Sequence, residues 1–377
     1  MMPGGLSIQI YEAGRKPLAK VAVTGGGHCN LTNTFQGVES LEKVYPRGFR
    51  AMKRALAAFS HDDTCRWFRE RGVALKELRN GCIFPVSMDA MQIVRVLLHG
   101  VGDIPIHTGK RLTSVQAGGS GGFTLRFSDG SEAAHDLVLV TVGGTRSMPG
   151  LPEGITLVPP CPSLFSLKVE DPSLRSLMGT VASDATVGIA GTRFRAGGEL
   201  LVTDWGVSGP AILRLSSYAA RHLSQNNYSG NLVINWISKT YEEAVEAVGS
   251  LSDSRLTTST PPEGLSRRLW THILSRAGVR ADIRNRELGA KSVRSIANAL
   301  VSDTYPIAGR APFRDEFVTA GGVGLDCLDT STFQARAVPG LFFAGEALDI
   351  DAVTGGFNLQ AAWSTARSAA NGILKKL

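Results

Sequence analysis

The chain has 377 residues, 43% of them hydrophobic and 19% charged; this is the balance of a folded protein with two or more domains, and it excludes a disordered or fibrous chain. The net charge of +7 comes from scattered basic residues, so a solvated surface is the simplest account and no basic-and-aromatic nucleic-acid module is expected. Five widely spaced cysteines without a CxxC or metal-ligand pattern exclude a zinc module and a disulfide scaffold and fit a reducing cytoplasm, the expected location; no signal peptide stands out, and no apolar run is long enough to cross a bilayer.

In chain order, residues 8–11 form a short apolar strand ending in Glu12. An acid at that place in a dinucleotide fold suits ribose hydroxyls. Lys16 and Lys20 follow as candidate phosphate or ribose contacts, with Arg15 as a surface alternative. Gly25, Gly26 and Gly27 make a turn that leads into Cys29 and Asn30. Cys29 is open to two readings, a thiol beside a cofactor or a small buried residue in a tight turn. Asn30 suits hydrogen bonding to a polar ligand.

Apolar residues at helical spacing predict helices over 49–59 and 62–71, with Trp67 and Phe68 in the core. Arg79-Asn80-Gly81 between two apolar runs predicts a hairpin. Ser87 is placed to cap a helix over 89–99. Residues 104–108, 112–116 and 123–127 alternate as strands of a small antiparallel layer. Residues 137–142 are a continuous apolar strand closed by Gly143 and Gly144, either ligand contacts or a plain turn. A Pro/Gly-rich loop over 145–154 marks a boundary.

Strands around 162–169, 185–194, 198–203 and 231–237, with helices over 241–251, 265–277 and 294–300, predict a mixed barrel-like and helical insertion. Gly206-Val207-Ser208-Gly209-Pro210 is no nucleophile elbow, because Pro210 stands where G-x-S-x-G needs glycine. Ser208 is therefore read as a cap or turn residue. Residues 317–320 return the chain to the first domain. A buried strand over 341–344 then ends in Gly345-Glu346, with Asp349 just beyond. Gly355, Gly356, Phe357 and Asn358 open a helix over 359–374, whose free N–H groups suit an anion; the alternative is a turn with structural work only.

Four stretches carry a family resemblance: KVAVTGGGHCNLTN at 20–33, ELLVTDWGVSGPAILRLS at 199–216, FVTAGGVGL at 317–325 and GLFFAGEALDIDAVTGGFNLQAAWSTA at 340–366. In this order, across nearly the whole chain, they resemble the BaiN/YhiN-type flavoproteins of the FAD/NAD(P)-binding oxidoreductase superfamily. The resemblance implies an α/β fold: an FAD/NAD(P)-binding Rossmann-like domain from 1–150 and 316–377, with an inserted β-barrel-like and helical domain over 151–315. It implies FAD as cofactor, with NAD(P)H as a transient donor and a small unsaturated or carbonyl-conjugated molecule as substrate.

The cofactor contacts it implies are Glu12, Lys16, Lys20, Gly25, Gly26, Gly27, Cys29, Asn30, Leu112, Gly143, Gly144, Gly345, Glu346, Asp349, Gly355, Gly356, Phe357 and Asn358, with Thr319 and Gly321 beside the flavin ring; no catalytic acid and no metal are assigned. Two departures matter. The strand and GxGxxG loop that open such proteins are missing, so the expectation is an N-terminally truncated chain whose sheet lacks its centre and exposes an apolar groove beside Val140 and Phe343. His28 stands where the family has Arg, a weaker anion partner. The alternatives are a cofactor-poor remnant without catalysis and a nucleic-acid-associated flavoprotein.

Overall fold

A computed structural model of the chain describes residues 6–78, 80–119, 121–144, 148–251, 253–311 and 318–377. The predicted turn residue Arg79, the first part of the boundary loop (145–147) and Phe317 lie outside the described residues. The chain divides into two units, residues 1–160 with 318–377, and residues 161–317.

The first unit is Rossmann-type α/β. Parallel strand pairs join Ile10–Glu12 to Ile106–Thr108, and Leu341–Phe343 to Val138–Val140. Among the described residues no strand joins the two pairs into one sheet. Val140 and Phe343, beside which an exposed apolar groove is expected, are both buried. Side chains alternate along a strand, so Leu139, between buried Val138 and Val140, is exposed; Val142, past the end of the strand, is exposed as well.

Leu112–Ala117, Phe123–Phe127 and Glu132–His135 form the antiparallel layer; its expected first member, 104–108, pairs in parallel with Ile10–Glu12 instead, and Glu132–His135 is the third strand. The predicted hairpin is Leu75–Glu77 with Cys82–Pro85, and Thr32–Asn33 adds a third strand to it. Helices Phe49–Ala58 and His61–Arg69 stand where periodicity placed them. The cap of the next helix, Ala90–Val101, is Asp89 and not Ser87: Asp89 accepts the Met91 N–H, whereas Ser87 Oγ accepts the N–H of Asp89 and donates to Gln92 Oε1.

The second unit is a closed six-stranded barrel in the order Leu167–Lys168, Gly206–Ser208, Arg195–Val202, Val181–Ile189, Ser229–Asn235, Asp303–Arg310, the last pairing back to the first. Closure removes exposed strand edges. Inward positions alternate: Leu232 and Ile234 on one strand face inward, as do Asp303, Tyr305 and Ile307 on its neighbour. Asp303–Arg310 closes the barrel although Pro306, at an outward position, and Gly309 read as strand breakers in sequence. Tyr241–Gly249, Arg267–Arg276 and Ala290–Val301 pack their apolar faces into the same core as the barrel, around Trp236 and Trp270. Ser208 ends its strand with Oγ 2.6 Å from Ser166 Oγ, and Gly209 and Pro210 open helix Pro210–Tyr218. The partner of that hydroxyl is another serine rather than an imidazole, and the structural reading of Ser208 stands.

Candidate functional site

The site is built in the first unit from the Gly25–Asn30 turn and the two segments around Glu346 and Gly356. The helix Ala19–Gly27 loses its helical geometry at Thr24, where ψ swings to 143°; Gly25 and Gly26 follow with φ of 58° and 67°. Gly27 continues with positive φ, as does Cys29. Three glycines in a row are needed because side chains disfavour the left-handed region by about 1–2 kcal/mol per residue. At Gly26 and Gly27, and again at Gly143, nothing lies within 4 Å of the place a Cβ would take. These backbones face open space.

Glu346 is the joint of the second segment. Its Oε2 pairs with Lys20 Nζ at 2.5 Å, and its Oε1 accepts the Thr319 N–H at 2.8 Å. Gly144 packs against this joint so closely that a Cβ would stand 2.5 Å from Thr319 Oγ1 and 2.8 Å from Glu346 Cδ. The N–H of Gly345 is taken by Thr365 Oγ1 at 2.9 Å. Asp349 donates its N–H to Val323 O.

The third segment is tied to the glycine turn by asparagines. The Asn30 side chain donates to Thr32 O at 3.1 Å and accepts the Gly356 N–H at 3.0 Å. Asn33 Nδ2 donates to Gly355 O at 3.0 Å. Asn358 both donates to and accepts from the Ala352 backbone at 2.9 Å. Phe357 is buried, and its carbonyl accepts from Tyr45 Oη at 3.0 Å. Gly356 is a glycine for a protein reason: a Cβ would meet Thr32 O at 2.4 Å.

The structure therefore brings Lys20, Gly25, Asn30, Gly144, Glu346 and Gly356 together through a chain of bonds and close packing. Glu346, Asn30 and Asn358 already direct hydrogen bonds to the protein and act as braces. Glu12 belongs to a second group. Its carboxylate accepts the Gly14 N–H at 2.6 Å and its carbonyl accepts from Lys110 N, two residues before Leu112. Lys16 is exposed. Glu12, Lys16 and Leu112 are not bonded to the Glu346 joint. Cys29 is fully buried, and burial pushes its thiol up, with Thr24 pulling the other way. It is held as a neutral thiol inside the turn. His28 is exposed and its Nδ1 meets Met88 O at 2.8 Å.

Sequence reasoning missed the support beneath these turns. Gln360, fully buried, accepts from Thr32 Oγ1 at 2.5 Å and from Thr64 Oγ1 at 3.0 Å, and donates to Phe59 O and Ser364 Oγ. A glutamine on the apolar side of a helix was the only available signal. Arg47 and Asp351 form a buried bidentate ion pair between loops far apart in sequence.

Parallel strands, a glycine turn and a glycine-led helix define a Rossmann-type α/β protein that carries an inserted barrel. Residues 2–372 match the family model described as HI0933-like protein Rossmann domain, and the chain belongs to that family. It is 28% identical over 393 residues to the ribosomal RNA dihydrouridine synthase of Escherichia coli, covering 98% of this chain and 92% of that protein. It is 26% identical over 388 residues to the 3-dehydro-bile acid delta(4,6)-reductase of Clostridium scindens, covering 96% and 91%. A ribosomal RNA dihydrouridine synthase of Haemophilus influenzae is 26% identical, covering 99% and 94%. The resemblance drawn from the four motifs is borne out. Among the described residues no helix is long and apolar enough to cross a membrane, and no cluster of three or more metal-ligating side chains occurs.

Proposed function

We propose that the chain is an FAD-dependent oxidoreductase that reduces a carbon–carbon double bond conjugated to a carbonyl, with NAD(P)H as the source of electrons. The observation that carries this reading is the linked set of Lys20, Glu346, Thr319, Asn30 and Gly356 beside glycine backbones that face open space. The donor set fits an elongated anionic dinucleotide: Glu12 for ribose hydroxyls, the backbone at Gly26 and Gly27 and the start of helix Phe357–Leu374 for polar and anionic parts, and Gly143 for a close approach. Bound FAD supplies hydride chemistry that no side chain in this set can perform. The residues of the chain hold and orient: the braces at Asn30, Asn358 and Glu346 fix the turns before any ligand arrives.

Both kinds of relative support this chemistry. Dihydrouridine is uridine with its ring double bond, conjugated to a carbonyl, reduced; the bile acid enzyme is named as a reductase. For the substrate we favour uridine in RNA, because two of the three relatives named above, each covered over nine-tenths of its length, are ribosomal RNA dihydrouridine synthases. A free enone is the second reading, favoured by the Clostridium relative. The test is purification of the chain, flavin absorbance, and NAD(P)H oxidation with RNA or an enone as acceptor. The expected result is bound FAD and a product that has gained two hydrogens. A colourless protein that takes up no added FAD overturns the proposal.

A further inference from the structure

Helix Phe49–Ala58 turns Ala51, Met52 and Ala55 into the core and leaves Arg50, Lys53 and Arg54 exposed. It contains no acidic residue. Positions three and four apart are neighbours on a helix, and each like-charge pair there costs about 0.2–0.5 kcal/mol. Arg50 also sits in the first turn, where the helix dipole disfavours a cation by roughly 0.3–1 kcal/mol. Local stability thus opposes this stripe. Among the described residues none of these three cations pairs with a carboxylate; Arg54 donates to Thr330 Oγ1 at 2.7 Å.

Both ends of the stripe carry an aromatic ring with a cation over it. Arg50 lies 5.6 Å from the Phe49 ring centroid. Arg367, exposed on the C-terminal helix, lies 5.0 Å from the Phe59 centroid. The helix cap, Gly48, packs against Ile350 and the Asp349 carbonyl, so the positive end of the stripe starts at the segment that follows Glu346. A simple solvated basic face would not need like charges stacked against the dipole, nor aromatic partners at both ends.

We propose that Phe49, Arg50, Lys53, Arg54, Phe59 and Arg367 form a docking surface for single-stranded RNA, with the cations on phosphates and the ring–guanidinium pairs offering faces on which bases stack. The choice of RNA as partner rests on the uridine reading above; the charge pattern stands without it.

The test measures binding of a fluorescent single-stranded RNA oligonucleotide to the full chain across a salt series. The triple variant Arg50→Gln/Lys53→Gln/Arg54→Gln is set against an equal-charge control, Lys76→Gln/Arg95→Gln/Arg126→Gln, with melting curves to show that both fold. The stripe variant is expected to lose affinity on the order of tenfold at low salt, and its log–log salt slope to fall by about 2, at roughly 0.7 for each phosphate no longer neutralised. Arg367→Gln alone lowers the slope by less than about 0.7, and the control keeps the wild-type slope to within about 0.7.

Equal loss in both triple variants overturns the surface, as does undiminished RNA binding by the stripe variant. Binding of the wild-type chain to anionic vesicles with no RNA binding also overturns it. Flavin uptake is read on the same samples. A wild-type chain that holds FAD but binds no RNA sinks this surface alone, whereas RNA binding through the stripe without FAD sinks the oxidoreductase reading and leaves the surface standing.

Discussion

Gly356 and Gly26 are both left-handed glycines in the same site, yet their alanine variants should behave differently. At Gly356, φ is 87° and a Cβ would stand 2.4 Å from Thr32 O and 2.7 Å from the Asn30 amide. Thr32 is paired in a strand with Ile83, so its carbonyl has little room to yield. Gly356→Ala therefore adds left-handed strain of about 1–2 kcal/mol and overpacking of about 1–3 kcal/mol. It also strains the hydrogen bond from Gly356 N to Asn30, worth about 1 kcal/mol. The sum is about 4 kcal/mol, which lowers the melting temperature of a unit this size by roughly 8–16 °C. Gly26→Ala meets nothing within 4 Å and carries only the left-handed cost, about 1–2 kcal/mol. Thermal melting, with hydrogen exchange read over residues 24–33, measures the difference. If the two variants melt within about 2 °C of each other, the packing of Gly356 on the Asn30–Thr32 turn does not hold that turn, and the reasoning fails.

Glu346→Ala leaves the Thr319 N–H without its acceptor and should cost about 1–3 kcal/mol in urea titration, whereas Lys20→Ala, which removes only the partly exposed ion pair, should cost under about 1 kcal/mol. Asp351→Asn removes the carboxylate charge that faces the largely buried Arg47 guanidinium and should destabilise by up to about 3–5 kcal/mol; a change below about 1 kcal/mol would show the pair to be dispensable. His272 is held below its ordinary value near 6.5, chiefly by burial, with Asp303 opposing and Arg276 adding to the depression. The folded state refuses a proton that the unfolded chain accepts, so its contribution is intact above about pH 6.5 and is lost as pH falls through the lowered value. The urea midpoint of His272→Gln should accordingly fall less than that of the wild type between pH 7 and pH 5. With iodoacetamide on the native protein, half-buried Cys327 should react first, and the buried Cys29, Cys65, Cys82 and Cys161 only after denaturation; early labelling of Cys29 would contradict its place inside the turn.

Wherever a local rule governs, the amino-acid order was enough. Helices Phe49–Ala58, His61–Arg69 and Arg267–Arg276 follow from 3.6-residue periodicity, and the hairpin at Leu75–Glu77 and Cys82–Pro85 from its Asn-Gly turn. The glycine runs at 25–27 and 355–356 announced turns, and their motifs announced the family. What the glycines are for was decided by the fold: open space at Gly26 and Gly27, but a neighbouring carbonyl at Gly356.

The closing strand Asp303–Arg310, the Gln360 network and the Arg47–Asp351 pair all depend on partners tens to hundreds of residues away. So does the basic face that joins Arg367 to Phe59. Arg50, Lys53 and Arg54 are already neighbours on one helix, and only helix packing brings Arg367 to the end of their stripe. Propensity and turn chemistry act between near neighbours and can be read along the chain. Pair geometry, burial and charge neighbourhoods exist only after distant segments have met, so tertiary structure alone determined them.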